Sequence, residues 1–553
     1  MAEPDFKPPP PGGEEPAPKP KRFWWRFMLG AGVIVAVSAA ATSIAILNYF
    51  GSVAEALSDN GAFNSKVNRF LAKVEGGEPQ NILIVGSDKR AGAEFAEDPG
   101  RSDTTILLRL DPEIGAIAVM SIPRDLKVEI PGYGTGKFNE AYSYGGPRLT
   151  LQTVKQLTGL KISHVVNVDF LGFSKAVWAI GCVFTDIDRR YYHSNVGVPA
   201  SEQYAEINVQ PGYQLLCGNK ALEYVRYRHT DTDIVRSSRQ QGFISAARQR
   251  ISAQDLVEDV FIGGGEKDLI EIFTKYTTSD ISDEATMLDV LKLFLEVRNV
   301  PLEEVHFPAE LGPSFVYTTP AAVDGAVDQF LGVEASGGAQ TNQEGAEENE
   351  QDAGAKKKKG KKDNKKRKKK PALRLKPAGS DELVPASEVG EEEAKIAARR
   401  VHGPFPIFYP TRLPAGAAYV ESNPFEKVVD PYVYRIKDAP TKDANRYEAY
   451  RMVLTLELSD GVHYFGVQGI RGWSDPPILD NPSETREIRG REYEIFVDGG
   501  RVSLIAWHRG ENSYWIANDL LHSVTNDQML GMARSAKVII PDKKPKRLGA
   551  GAE

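Results

Sequence analysis

Twenty-four consecutive residues, Phe27 to Phe50, carry no charge. As a helix rising about 1.5 Å per residue, such a run crosses the roughly 30 Å hydrocarbon core of a bilayer. Lys19, Lys21, Arg22 and Arg26 crowd its N-terminal side, while Asp59 is among the few charges just past its other end. The positive-inside bias then puts residues 1–26 in the cytoplasm and the bulk of the chain outside. Trp24 and Trp25 stand where an interfacial aromatic belt belongs. A cleaved leader is the rival reading, although its apolar core is ordinarily shorter. The expected localisation is the cell membrane, single-pass, with membrane lipid as a partner through this helix.

Composition separates folded from unfolded stretches. Residues 1–20 are Pro-rich and polar, without the apolar surface to fold. The formal net charge of −7 hides a run, residues 356–370, with eleven Lys, one Arg and one Asp; removing its +11 leaves −18 for the rest. Globular parts that acidic argue against nucleic acid as a partner. The lysine run itself has two readings, a solvated spacer or an attachment to anionic headgroups or wall polymers. The expected organisation is a disordered tail at 1–26, a transmembrane helix at 27–50 and a stalk at 51–79. A catalytic domain follows at 80–331, then an acidic and Lys-rich disordered linker at 332–398. An α+β accessory domain at 399–540 and a tail at 541–553 complete it.

Cys182 and Cys217 are the two cysteines. Outside the membrane such a pair is expected to be bridged. The role is structural in either redox state, since no His clusters nearby at metal-ligand spacing.

Between Asn81 and Ile251 short apolar runs alternate with helical patterns. Ile82–Val85, Thr104–Leu110, Ala116–Ile122 and Val165–Phe170 read as strands. Arg148–Leu157, Phe173–Ile180, Lys220–Val225 and Arg236–Ile251 read as helices. That interleaving implies an α/β fold, a central sheet with helices on its faces. Further on, Tyr450–Glu457, Tyr464–Gly469, Tyr493–Val497 and Val502–Trp507 read as antiparallel strands closed by a helix at Asn526–Ala536. No nucleophile–base pair or carboxylate cluster occurs there. A binding or positioning role, dispensable for chemistry, is the expectation for that module.

Charged residues gather at the strand ends of the first domain. Asp88 follows the first strand, Arg101 and Asp103 enter the second, and Arg124 and Asp125 follow the third. Arg226 and Arg228 flank Tyr227, so on an extended segment both guanidinium groups face one side. Asp233, Arg236 and Gln240 share a helix face. Any one of these fits a surface ion pair. Together they suit phosphoryl chemistry: Arg forks bind phosphate oxygens bidentately and keep their charge, and paired carboxylates suit Mg²⁺ (or Mn²⁺).

NILIVGSDKR, RSDTTILLRLDP, SIPRDLKVEIPG, KFNEAYSYGG and YVRYRHTDTDIVRSSRQQ, in that order, resemble the LytR-CpsA-Psr family of bacterial cell-wall assembly proteins. The resemblance implies a mixed central β-sheet flanked by helices, and a hydrophobic tunnel for a polyprenyl chain. It implies transfer of a glycopolymer from a polyprenyl-pyrophosphate carrier to a peptidoglycan sugar hydroxyl. Position by position it casts Asp88 and Asp103 as metal ligands. It casts Arg101, Arg124, Lys137, Arg226, Arg228, Arg236 and Gln240 as the pyrophosphate set, and Asp233 as the acidic residue opening the last helix. Gly181-Cys182-Val183 stands where Gly-Gly-Val is usual, and Cys217-Gly218 where Asn-Gly is common; both departures favour a bridge peculiar to this lineage. Two other functions fit the same residues, a non-catalytic scaffold for lipid-linked polymer and a polyprenyl-pyrophosphate hydrolase.

Overall fold

The computed structural model describes residues 67–87, 100, 102–199, 205–227, 231–250, 276–281, 284–297, 300, 302–332, 383–420, 432–459, 461–498 and 500–541. The expected transmembrane run lies outside these; among the described residues no helix is long and apolar enough to cross a membrane.

The first unit is built on six strands: β1 (Gln80–Ser87), β2 (Ser102–Asp111), β3 (Ala116–Ser121), β4 (His164–Asp169), β7 (Thr277–Ser279) and β8 (Leu302–Val305). Their order is β7-β4-β1-β2-β3-β8. β1 runs parallel to β4 and antiparallel to β2, and β8 runs parallel to β3, so the sheet is mixed. The near-continuous apolar run of β1 follows from burial on both faces. Leu83 and Val85 pack toward α1 (Glu140–Thr158) and α6 (Pro320–Phe330), while Ile82 and Ile84 pack toward α5 (Glu284–Val297). Gly145 and Gly146 break α1 ahead of Pro147; Gly146, at φ 60° and ψ −156°, holds a conformation essentially reserved for glycine.

Beside this sheet lies a two-stranded ladder of β5 (Val183–Ile187) and β6 (Gly212–Leu216), flanked by α2 (Phe170–Ala179), α3 (Gly218–Arg226) and α4 (Asp233–Arg250). Register pairs Val183 with Leu216, which puts the preceding Cys182 opposite the following Cys217. The two are bridged, with Cα atoms 4.6 Å apart.

The second unit contains β9 (Leu383–Pro385), α7 (Val389–Arg400) and an antiparallel sheet. The sheet comprises β10 (Ala417–Tyr419), β11 (Tyr432–Lys437), β12 (Arg446–Leu458), β13 (Gly461–Ile470), β14 (Glu484–Ile488), β15 (Arg491–Asp498), β16 (Arg501–Arg509) and β17 (Asn512–Ala517). α8 (Asn526–Ser535), with a full capping box at Thr525 and Gln528, closes it. The expected linker therefore ends earlier than residue 398, because β9 and α7 belong to this unit. Gly390, Glu393, Ala394 and Ala397 form the buried stripe of α7 at helical spacing. Alanine and glycine make that stripe nearly invisible among its exposed Glu, Lys and Arg residues.

Period-two alternation gives this sheet two apolar faces. Tyr450, Met452, Leu454 and Leu456 join a core with α7 and α8. On the opposite face Ala449, Ile470 and Trp515 join Phe184 and Tyr213 of the first unit. Arg451, also on that face, meets Asp186 of β5: Nη1 lies 2.9 and 3.0 Å from the two carboxylate oxygens. Trp515 Nε1 donates to the same carboxylate at 3.0 Å. Tyr434 Oη donates to the Tyr213 carbonyl, and Ile478 N donates to Tyr213 Oη. The second unit is thus docked through a polar seam set in an aromatic cluster.

Candidate active site

Antiparallel pairing of β1 with β2 and of β2 with β3 brings the end of β1, the start of β2 and the end of β3 to one edge of the sheet. α4 begins at that edge with Asp233. Six of the anticipated residues meet there. Arg124 Nη1 donates to Asp103 Oδ1 at 2.9 Å, and Arg124 Nε lies 3.6 Å from Asp125 and 3.9 Å from Asp233 Oδ1. Arg236 Nη2 reaches Asp233 Oδ1 at 2.5 Å. Lys137 joins through Asp125, at 3.1 Å. Its hairpin, Lys127–Ile130 with Gly134–Lys137, is locked to the turn by Phe138 N and Asn139 N, which donate to the Leu126 and Arg124 carbonyls.

Burial sets the electrostatics. Arg236 is 4% exposed, and desolvation pulls its pKa below the ordinary guanidinium value, with Asp233 opposing. For Arg124 desolvation works the same way, but Asp125, Asp103 and Asp233 outweigh it and hold the pKa above its usual value. Three cations and three carboxylates balance. Even so, Asp233 Oδ2, Ser87 Oγ and Asn139 Oδ1 are buried without a hydrogen-bond partner. A carboxylate oxygen left so is costly unless a cation or a proton comes to it. Oxygen donors of this kind suit a hard divalent cation, which ordinarily takes one or two carboxylates and completes its shell with substrate oxygens.

Other expectations are placed differently. Gln240 donates Nε2 to Thr104 Oγ1 at 3.0 Å and to the Val225 carbonyl at 3.1 Å. Both amide hydrogens thus tie α4 to β2 and α3, which is a structural task. Arg226 is the last residue of α3 rather than part of an extended segment, and its guanidinium stands 3.8 Å over the Phe170 ring. The alternation argument therefore fails for Arg226, although Tyr227, the C-cap of α3, is buried. Asp88, Arg101 and Arg228 lie outside the described residues. On α2, Val177 is core and Trp178 is half exposed.

Sequence reasoning missed Asp231, Arg189 and Arg239. Asp231 accepts from both arginines, and Arg239 also donates to the Tyr227 carbonyl. For Asp231 and Arg239 the one signal was the density of Arg and Asp near α4. Asn139 was missed as well, hidden inside the KFNE segment.

The LytR_cpsA_psr family model matches residues 44–331. A relative from Oceanobacillus iheyensis, named polyisoprenyl-teichoic acid–peptidoglycan teichoic acid transferase TagU, is 33% identical over 241 residues, 41% of this chain and 70% of that protein. LcpB of Corynebacterium glutamicum, named a probable cell wall biosynthesis protein, is 35% identical over 198 residues, 33% of this chain and 45% of that protein. The solved structure of Bacillus subtilis TagT superposes with a TM-score of 0.35 at 22% identity, over 48% of this chain and 96% of that one; an overlap that small carries no functional weight. The family match spans more than half of the 553 residues and takes in every residue of the site above: this chain belongs to the LytR_cpsA_psr family.

Proposed function

We propose that the chain transfers a glycopolymer from a polyprenyl-pyrophosphate carrier to a sugar hydroxyl of peptidoglycan, as a membrane-anchored extracytoplasmic phosphotransferase. The observation that carries this reading is the Asp103–Arg124–Asp233–Arg236 network at the sheet edge, in a chain whose TagU relative is named for such a transfer. The acceptor oxygen attacks the phosphorus that bears the polymer. A new P–O bond forms, the bond to the bridging oxygen breaks, and polyprenyl phosphate leaves with that electron pair. Arg124 and Arg236 offset charge on the diphosphate as it builds on the leaving oxygens. Arg236, buried and fixed by Asp233, cannot follow a misplaced substrate, so it also sets register. Asp233 Oδ2, lacking a donor of its own, is the atom available to take the acceptor hydroxyl's proton. Mg²⁺ held by Asp103, with Asp88 beside it in the sequence pattern, would neutralise phosphate charge when bound.

Asp103→Ala, checked for folding by thermal melt, is expected to abolish Mg²⁺-dependent release of polyprenyl phosphate from a short-chain lipid-linked analogue. Turnover at the wild-type rate in excess chelator would remove the metal from the scheme, and at the wild-type rate in the variant would remove Asp103.

A further inference from the structure

The segment that leads into α4 is held by a box of charges and rings. Asp231, whose side chain is 3% exposed, sits between the guanidinium groups of Arg189 and Arg239. Arg239 is fully buried and also holds the Tyr227 carbonyl. Residues 227 and 231 are therefore clamped to one side chain, with Arg228 between them in the sequence. Asp188 balances the second positive charge and accepts from Tyr191 Oη at 2.6 Å. Tyr191, Tyr224 and Tyr227 wall the box, with Arg239 4.8 to 5.8 Å from their ring centres.

The fourth wall comes from the other unit. Arg189 stands 4.6 Å from the ring centre of Tyr464 on β13, closer than to Tyr191 (4.9 Å) or Tyr227 (5.7 Å). Strand alternation aims Tyr464 there: with Gln468 and Ile470 it occupies the face of β13 turned to the first unit, opposite Phe465 and Val467 in the second unit's own core. The seam is not filled around this contact. A cavity of about 330 Å³ separates the units there, bordered by Asp231 and Thr232 on one side and by His463 and Leu521 on the other. Tyr464 thus reaches across a gap to cover the guanidinium.

We propose that Tyr464 is a positioning residue for the active site: through Arg189 and Asp231 it fixes the chain that enters α4, and so the placement of Asp233 and Arg236. The inference rests on the transferase reading above, and it makes the second unit part of the catalytic apparatus rather than a detachable appendage. Without the ring, Arg189 faces the cavity, where water competes for it, and its hold on Asp231 weakens toward that of an exposed ion pair.

The experiment compares full-length wild type, Tyr464→Ala and Tyr464→Phe for release of polyprenyl phosphate, and for amide hydrogen exchange in peptides within residues 231–250. Tyr464→Ala is expected to lose about tenfold in kcat/KM, the value of one cation–π contact, and to exchange faster in the first turns of α4. Tyr464→Phe keeps the ring and should match wild type in both readouts. Wild-type exchange and turnover in Tyr464→Ala overturn the proposal, as does a Phe variant that fails like Ala. A wild-type protein without turnover refutes the transferase reading instead, and the exchange comparison still decides the brace. Should Tyr464→Ala not fold, Arg189→Lys takes its place; it keeps the charge, loses the planar face and is expected to show the same two losses.

Discussion

Asp186→Ala tests how firmly the two units are joined. Asp186 is 9% exposed at its side chain and Arg451 1%, and the carboxylate takes three hydrogen bonds, two from Arg451 and one from Trp515. Alanine leaves a guanidinium and an indole N–H without partners inside an aromatic cluster. Breaking a buried pair from one side costs about 3–5 kcal/mol, and the orphaned indole donor overlaps with that cost rather than adding to it in full. The loss falls on docking more than on either fold, because Arg451 regains water once the units part. About 4 kcal/mol therefore comes off the free energy of the seam. Urea titration of the full chain followed by tryptophan emission reads it directly, since Trp473 and Trp515 both lie in the seam cluster. The variant should show an early transition at low urea, before the units themselves unfold. Asp186→Leu combined with Arg451→Met should recover most of the loss, because a buried pair replaced by apolar groups is often near neutral. A single variant within about 1 kcal/mol of wild type would refute the reasoning and mean that the pair is solvated.

Two further outcomes follow from groups described above or beside them. Cys182→Ser with Cys217→Ser opens a loop of sequence separation 35 and should cost about 3–4 kcal/mol by thermal or denaturant unfolding under oxidising conditions. Stability should also respond to pH in two opposing windows. Burial, with His306 adding to it, brings the His522 pKa from 6.5 down to about 4, so the unfolded chain binds more protons between those values and stability falls as pH drops through them. Burial, with the Asp498 charge adding to it, pushes Glu304 from 4.5 up to about 8, so the folded chain binds more protons there and stability falls as pH rises. The windows oppose one another between 4.5 and 6.5. Unfolding free energy against pH should accordingly drop from 6.5 toward 8, a limb flattened by Glu304→Gln, and drop again below 4.5, a limb flattened by His522→Gln.

The strands of the first unit were legible because both faces of its sheet are covered, which leaves unbroken apolar runs such as Ile82–Val85. The charged residues at their ends were legible for the complementary reason: Asp103, Arg124, Asp233 and Arg236 interrupt apolar patterns where a lone charge would be expensive. Pairing was not legible. Nothing local to Asp186 or Arg451 announces a partner 265 positions away, and each sits in an ordinary-looking strand. Gln240 reads like a substrate contact until Thr104 and Val225 are seen to use its donors. The stripe on α7 escaped because alanine and glycine carry so little hydrophobic signal. Arg226 was misjudged by one residue of helix length, enough to void an argument from alternation.

The seam joins two parts of one polypeptide, and that changes what it must achieve. A free partner would have to overcome the translational and rotational entropy of association, whereas a tethered one meets its surface at an effective concentration on the order of millimolar. Residues 333–382 supply that tether whatever path they take. An interface whose separated halves bind with a millimolar constant is then occupied about half the time, and each tenfold of intrinsic affinity beyond that adds a decade of occupancy over vacancy. Docking is therefore independent of protein concentration and indifferent to dilution. Sequence change in the seam is also buffered: a substitution that would abolish a bimolecular complex lowers the docked fraction by degrees.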